Sequence, residues 1–262
     1  MTEKKEHRPT ARVLNILEVL ASSSEGLTLT EIAEAINAPK SSILPFIHTL
    51  AQRKFIFQNK NTNKYSIGIA SFCVGASYTN NMNALEFIKS EMRYIVKKTN
   101  EICQVGILDK GQVLYIAKVD SENPIRIISS VGKRLPAYCT ALGKAMLSNL
   151  SIEDIKKLYP NGLIPFTPKT ITNFEELEKQ LEDVRKTNIA YEFGEINEPS
   201  YCLSTPLVKG GDILAAISVS VPYFRMTKEK NELIQALLLE SKIKIETYFR
   251  EHNIDKNNLT LS

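Results

Sequence analysis

Few residues in this sequence are arranged for bond-making chemistry. The histidines, His7, His48 and His252, stand far apart, so no serine or cysteine has an obvious base beside it. Cys73, Cys103, Cys139 and Cys202 include no Cys-x-x-Cys pair, which argues against a disulfide framework and a zinc site. Gly143-Lys144 is followed by alanine and has Tyr138 five places before the glycine, so it is no phosphate-binding loop, and no Gly-x-Ser-x-Gly elbow occurs. Cys202 lies in a strand-like run without a charged neighbour to lower its pKa, and reads as a buried structural thiol. The expectation is a chain that is not an enzyme and carries no metal or cofactor. The alternative is a cytosolic metabolic enzyme acting on a small organic acid, with an incidental helical hairpin near its start.

The residues that could recognise rather than react fall in two places. Ser218 and Ser220 alternate with Ile217, Val219 and Val221, which puts both hydroxyls on one face of an apolar strand. They can bind a polar ligand, or fill a tight spot and bond to backbone. Thr140 to Gly143 opens a helix whose first amides and positive dipole end favour an anion. A small carboxylate held between the two is the expected ligand. The second place is Lys40, Ser41 and Ser42, at the exposed start of a short helix, with Leu44 and His48 further along it as additional DNA-facing positions.

The elements that must position the second group begin with TARVLNILEVLASSS, where Val13, Ile16, Leu17 and Leu20 form an amphipathic stripe. Thr28 and Glu31 make a capping box that starts a second helix, and Leu27 can staple onto Ile32. Asn37, which tolerates a left-handed backbone, ends that helix before Ala38-Pro39. A third helix opens with Pro39 in its first turn, and Ile43, Ile47 and Leu50 face its partner. Phe55 to Gln58, the polar turn NKNTNK and Tyr65 to Ile67 read as a hairpin whose Lys60 and Lys64 can rest on phosphate. Three helices and such a wing make a winged helix-turn-helix.

Length and charge agree with this division. A chain of 262 residues exceeds the usual single domain, and no run approaches the ~18 apolar residues of a membrane span. The charged first residues lack the apolar core of a secretory signal, so the expected location is the cytoplasm, with no membrane partner. Residues 1–70 hold nine Lys/Arg against six Asp/Glu, and the rest 24 against 23, so most of the surplus of positive charge sits at the N-terminal end.

Beyond Gly68, Ile69, Phe72, Cys73 and Ala76 form an apolar stripe, interrupted by Asn80, Asn81 and Asn83, that reads as a helical linker and a dimer contact. A helix from Ala84 follows, with Leu85, Ile88, Met92, Ile95 and Val96 facing a sheet. ICQVGIL, QVLYIAKV and IRIISSV read as strands, and then helices are expected over 141–150, 152–159 and 174–187. YCLSTPLV and ILAAISVSV form a strand pair around Lys209-Gly210-Gly211-Asp212, and a helix over 228–252 closes the chain. Strands grouped on either side of a helical block, mostly hairpin-connected, indicate an α+β domain with an antiparallel sheet. The expected division is 1–70 for the winged helix-turn-helix, 71–83 for the linker and 84–262 for the second domain.

Taken together these segments resemble the IclR family of bacterial transcriptional regulators over nearly the whole chain. ARVLNILEVLA, LTLTEIAEAINAPKSSI, HTL and the Tyr65-Ser66-Ile67-Gly68 exit of the wing are similar to its DNA-binding domain. LPAYCTALGKAML, the stretch from Tyr191 to Cys202, and AAISVSVPYFRMT are similar to its effector domain. The resemblance implies a GAF-like effector-binding domain taking a small molecule, commonly an organic acid. It also implies a double-stranded DNA operator as partner, a homodimer or homotetramer, and most often repression. By the same similarity Ala141, Leu142, Cys202, Ser218 and Ser220 match positions lining the effector site. Ile127 and Leu135 match its apolar wall, and Glu192 matches an acidic position able to accept from an effector hydroxyl while disfavouring a second carboxylate nearby. One departure is Pro45, where many members carry a basic residue in the recognition helix. Either that helix is kinked or it begins at Ser42 as its N-cap, which would put Pro45 in the tolerated first turn.

Overall fold

The computed structural model describes residues 6–80, 83–125, 129–255 and 259. They form two compact units, Met1–Asn81 and Met82–Ser262.

In the first unit, helix α1 (Arg8–Ala21) starts with a proline in its first turn and buries Ile16 and Leu20. Helix α2 (Leu29–Ala35) has the capping box: Thr28 N–H donates to Glu31 Oε2 at 2.7 Å, and Glu31 N–H to Thr28 Oγ1 at 3.3 Å. Asn37 takes φ 50°, ending that helix, and α3 (Lys40–Gln52) follows with Ile43, Ile47 and Leu50 buried. Pro39 is the extended N-cap residue rather than a first-turn residue, and the helix starts neither at nor after Ser42. The Ser42 hydroxyl instead donates to the Pro39 carbonyl at 2.7 Å. Pro45 thus lies inside a helix that continues seven residues past it, the Ser41 carbonyl losing its usual intrahelical donor. Pro45→Ala should restore that bond and stabilise α3 by up to about 3 kcal/mol. The check is hydrogen exchange of the α3 amides in the intact chain, and unchanged protection would mean the proline costs nothing there.

Strands β1 (Ile56–Gln58) and β2 (Tyr65–Ile67) pair antiparallel, Ile56 opposite Ile67. Leu27 adds a bridge to Tyr65, with N–H to O distances of 2.9 and 2.7 Å. The wing is thereby tied to the chain that enters α2, and Ile16, Ile32, Ile43, Ile47 and Ile56 share one core with Tyr65. Helix α4 (Ile69–Asn80) then runs past the expected linker start and leaves Ile69, Phe72 and Val74 exposed, Phe72 at 68%. Cys73 on it is exposed as well. The side chain of Ala76, counted in the expected stripe, lies outside the described residues, as does Asn81.

The second unit is an α+β domain of the GAF-like kind, built on one antiparallel sheet in the order β5-β4-β3-β8-β7-β6. Its strands are β3 (Ile102–Asp109), β4 (Gln112–Val119), β5 (Arg134–Pro136), β6 (Ala190–Phe193), β7 (Ser200–Lys209) and β8 (Asp212–Pro222). Helix α5 (Asn83–Thr99) packs on β3 and β4, and α9 (Lys228–Glu251) on β7 and on α5. Helices α6 (Ala141–Leu147), α7 (Ile152–Leu158) and α8 (Phe174–Thr187) come between β5 and β6, and α6 packs on β7 and β8. Strand β8 is buried from Leu214 onward, as a strand covered on both faces must be. Ala216, Ser218 and Ser220 meet the α6 side. No helix among the described residues is long and apolar enough to cross a membrane.

Two expectations change. Of IRIISSV, Arg126, Ile127 and Ile128 lie outside the described residues, and Ile125 and Ser129 to Val131 are not in a strand. Gly132, at φ 86°, turns the chain so that Gly132 and Lys133 bond to Tyr115, and the strand forms only at Arg134. The expected inventory also lacked β6, which follows Asn188 at φ 58° and buries Ala190 and Glu192 while Tyr191 and Phe193 face outward. Four residues are too few for alternation to stand out from the preceding helix.

Candidate functional site

The cavity of about 260 Å³ in the second unit lies between the sheet and the start of α6. Four adjacent strands supply its floor. Gln104 on β3 pairs across the ladder with Ser218 on β8, Ser220 pairs with Cys202 on β7, and Cys202 with Glu192 on β6. Thr140, Ala141 and Leu142 form the roof, with Leu135 and Tyr115 at one side and Ile196 and Asn197 at the other. So Leu135, Ala141, Leu142, Glu192, Cys202, Ser218 and Ser220 all line this cavity, while Ile127 lies outside the described residues.

The hydroxyls of Ser218 and Ser220 are not tied to backbone. Both donate to Gln104 Oε1, at 3.3 and 3.1 Å, and the Gln104 amide N–H donates to Ser129 Oγ at 2.7 Å. The backbone-bonding behaviour belongs to Ser204, next to Ser218 on β7, whose hydroxyl donates to the Ile217 carbonyl at 2.9 Å. With their protons held by Gln104, Ser218 and Ser220 offer lone pairs to the cavity. Cys202 Sγ–H donates to Ser220 Oγ at 3.2 Å. Its thiol is pushed well above the ordinary range by burial and by the nearby Glu192 carboxylate, which disfavours the thiolate that a nucleophile needs. The charged neighbour exists after all, but its sign is the wrong one for activation.

Glu192 accepts from the Glu195 N–H at 2.5 Å and from the Ser200 hydroxyl at 3.2 and 3.1 Å. Burial holds its carboxyl above the usual range, against the opposing pull of the Glu195 N–H and Ser200 hydroxyl hydrogen bonds that favour the charged form. A carboxyl raised on folding binds its proton more tightly in the native chain. Its penalty is therefore absent below the unfolded-state pKa and grows as pH rises through the two values. Glu192→Gln should remove that dependence, so stability of the parent relative to the variant should fall as pH rises through and above the ordinary carboxylate range. Parallel curves in urea titrations across that window would rule the effect out.

One fully buried cation organises the roof. Lys144, 1% exposed, donates to a Glu195 carboxylate oxygen, to Gln180 Oε1 at 2.8 Å and to the Tyr191 carbonyl at 3.3 Å. Thr170 Oγ1 holds the Glu195 carbonyl at 2.6 Å. These bonds clamp α6 to the turn after β6, the turn that brings Ile196 and Asn197 to the cavity. Residues the sequence reading missed here are Gln104, Tyr115, Ser129, Lys133, Ile196, Asn197 and Ser200. Gln104, an amide inside the otherwise apolar run ICQVGIL, was the available signal.

In the first unit the exposed residues of α3 include Lys40, Ser41, Leu44, Pro45 and His48, with Thr49 and Gln52 continuing that face. Ser42 is half-buried and engaged with Pro39. Lys60 is exposed on the wing, whereas Lys64 lies 3.5 Å from Glu25. No group of His, Cys, Asp and Glu able to hold a metal occurs among the described residues.

The IclR helix-turn-helix domain model matches residues 9–60, and the model described as bacterial transcriptional regulator IclR C-terminal matches residues 76–246. The HTH-type transcriptional regulator KdgR of Escherichia coli (strain K12) is 28% identical over 244 residues, covering 92% of each chain. The HTH-type transcriptional repressor AllR of the same strain is 27% identical, covering 84% of this chain and 82% of its own. An IclR homolog from Microbacterium hydrocarbonoxydans, solved in complex with 4-hydroxybenzoate, shares the fold at 19% identity, with a TM-score of 0.78 over 92% of this chain and 99% of that one. With one matched segment in the first unit and the other reaching from the end of α4 through most of α9, the chain belongs to the IclR family of bacterial transcriptional regulators.

Proposed function

We propose that this protein is a sequence-specific repressor that works in the cytoplasm, binding a double-stranded operator through the first unit and a small organic-acid effector in the cavity of the second. The observation that carries the reading is the pairing, in one chain, of a winged helix-turn-helix presenting an unpacked α3 face with a polar cavity between the sheet and the start of α6. The relative named a repressor supports the sign of regulation, and the homolog bound to 4-hydroxybenzoate supports an acid as the ligand. A homodimer or homotetramer would place two α3 helices on a palindromic site. The division into a DNA-binding segment 1–70, a linker 71–83 and an effector segment 84–262 belongs to the same proposal.

The acid's carboxylate is placed at the roof, where the Ala141 and Leu142 amides precede the first intrahelical bond, which Lys144 N–H makes to the Thr140 carbonyl at 2.9 Å. Leu135 and Leu142 keep water from it, and the rest of the molecule lies on the serine floor. Ser218→Ala with Ser220→Ala removes two acceptors and should weaken effector binding at least tenfold, about 1.4 kcal/mol, by calorimetry. Operator binding without effector should persist. Lys40→Ala with His48→Ala should weaken operator binding in a gel-shift titration and flatten its dependence on salt. If the parent produced no sequence-selective shift but turned over an organic acid, the enzyme alternative would hold instead.

A further inference from the structure

The cavity floor is unusual in what it offers a ligand. Gln104 fixes the hydrogens of Ser218 and Ser220, so these two oxygens present lone pairs, and the Glu192 carboxylate beyond Cys202 is a third acceptor in the same cavity. Acceptors side by side call for donors on the ligand. A carboxylate has none, and next to Glu192 it meets like charge. An aromatic acid brings at most a ring hydroxyl or two, and its ring would cover Ser218, Ser220 and Gln104 without replacing the water it removes. The walls do not suit a ring either: the aliphatic side chains there are Leu135, Ala141, Leu142 and Ile196, and Tyr115 is the one aromatic among the described residues.

Charge is distributed to match. Glu192 sits on β6, one edge of the sheet, while Lys133 directly precedes β5 at the other edge and lines the cavity from an exposed position. A bound molecule therefore meets an acceptor at one end and a cation towards the other.

We propose that the effector is an open-chain or small-ring carboxylic acid carrying several hydroxyl groups, a sugar acid in chemical class, with hydroxyls on Ser218, Ser220 and Glu192 and its carboxylate away from Glu192. This rests on the reading of the cavity as an effector site and narrows it. Sites built to hydrogen-bond hydroxyls discriminate strongly against analogues lacking them, because the buried acceptors are then left bare.

The test is calorimetry and thermal shift on the full chain with acids of similar size: gluconate and galacturonate as six-carbon hydroxylated acids, hexanoate as the bare six-carbon acid, benzoate and 4-hydroxybenzoate as aromatic acids. The expected result is that at least one hydroxylated acid binds ~100-fold tighter than hexanoate and than either aromatic acid. Ser220→Ala and, separately, Gln104→Met should each shrink the ratio of hydroxylated acid to hexanoate at least tenfold. Using both keeps the test open should one variant fail to fold. Tighter binding of hexanoate or an aromatic acid would overturn the class and leave the effector site standing. A ratio unmoved by either variant would overturn the role of the floor. Binding by none of the five, alongside intact operator binding, would remove both the class and the acid-effector reading.

Discussion

Gly143→Ala is expected to destabilise the second unit by at least about 3 kcal/mol, a fall of roughly 10 °C in its thermal midpoint. An added Cβ would sit 2.1 Å from the Ala137 carbonyl oxygen and 2.3 Å from its Cα, both backbone atoms with no rotamer to adopt. The turn over Ala137–Cys139 and the first turn of α6 are stacked that closely because the Thr140 side chain caps Gly143 N–H at 3.0 Å and draws them together. Relief requires moving the roof of the cavity, so ligand binding should fall together with stability. Gly75→Ala is the control: nothing lies within 4 Å of its added Cβ, and in the middle of α4 the change should be neutral or stabilising by up to about 1 kcal/mol. Equal melting of Gly143→Ala and the parent would show that the contact relaxes without cost.

Lys144→Met should cost about 3 to 5 kcal/mol, because it strands the Glu195 carboxylate in the interior, where Oε2 already has no partner. Lys144→Met with Glu195→Leu should recover most of this, since exchanging a whole buried pair for apolar side chains is often neutral or better. The double variant separates two roles of the clamp. If stability returns and effector affinity does not, the ion pair serves to hold Ile196 and Asn197 at the cavity. Were the single variant to melt with the parent, the pair would contribute nothing to stability.

How much of this was legible beforehand differs by region for physical reasons. In the first unit the signals are local: a capping box, an asparagine that takes a left-handed conformation, and isoleucines at helical spacing each depend on residues within a turn or two. Pro45 is the exception, because packing of Ile43 and Ile47 on either side holds the helix through a residue that local preference would place at its start. In the second unit the strand pair β7 and β8 and the face shared by Ser218 and Ser220 follow from alternation alone. Their orientation does not, since Gln104, more than a hundred residues away in sequence, decides where the serine protons go. Lys144 could be dismissed as a phosphate-loop lysine, but its pairing with Glu195 depends on how the turn after β6 returns to α6. Glu192 came from family likeness, because the short strand that presents it leaves too weak a pattern to read.

That strand has one further consequence. Strand β6 is bonded along one side only, to β7, and ends the sheet. Its ladder to β7 is only four residue pairs long, but the Lys144 bond to the Tyr191 carbonyl ties it to α6 as well. Parting that edge would thus mean giving up a bond of a buried cation as well as a ladder, so the floor of the cavity is pinned at its free edge.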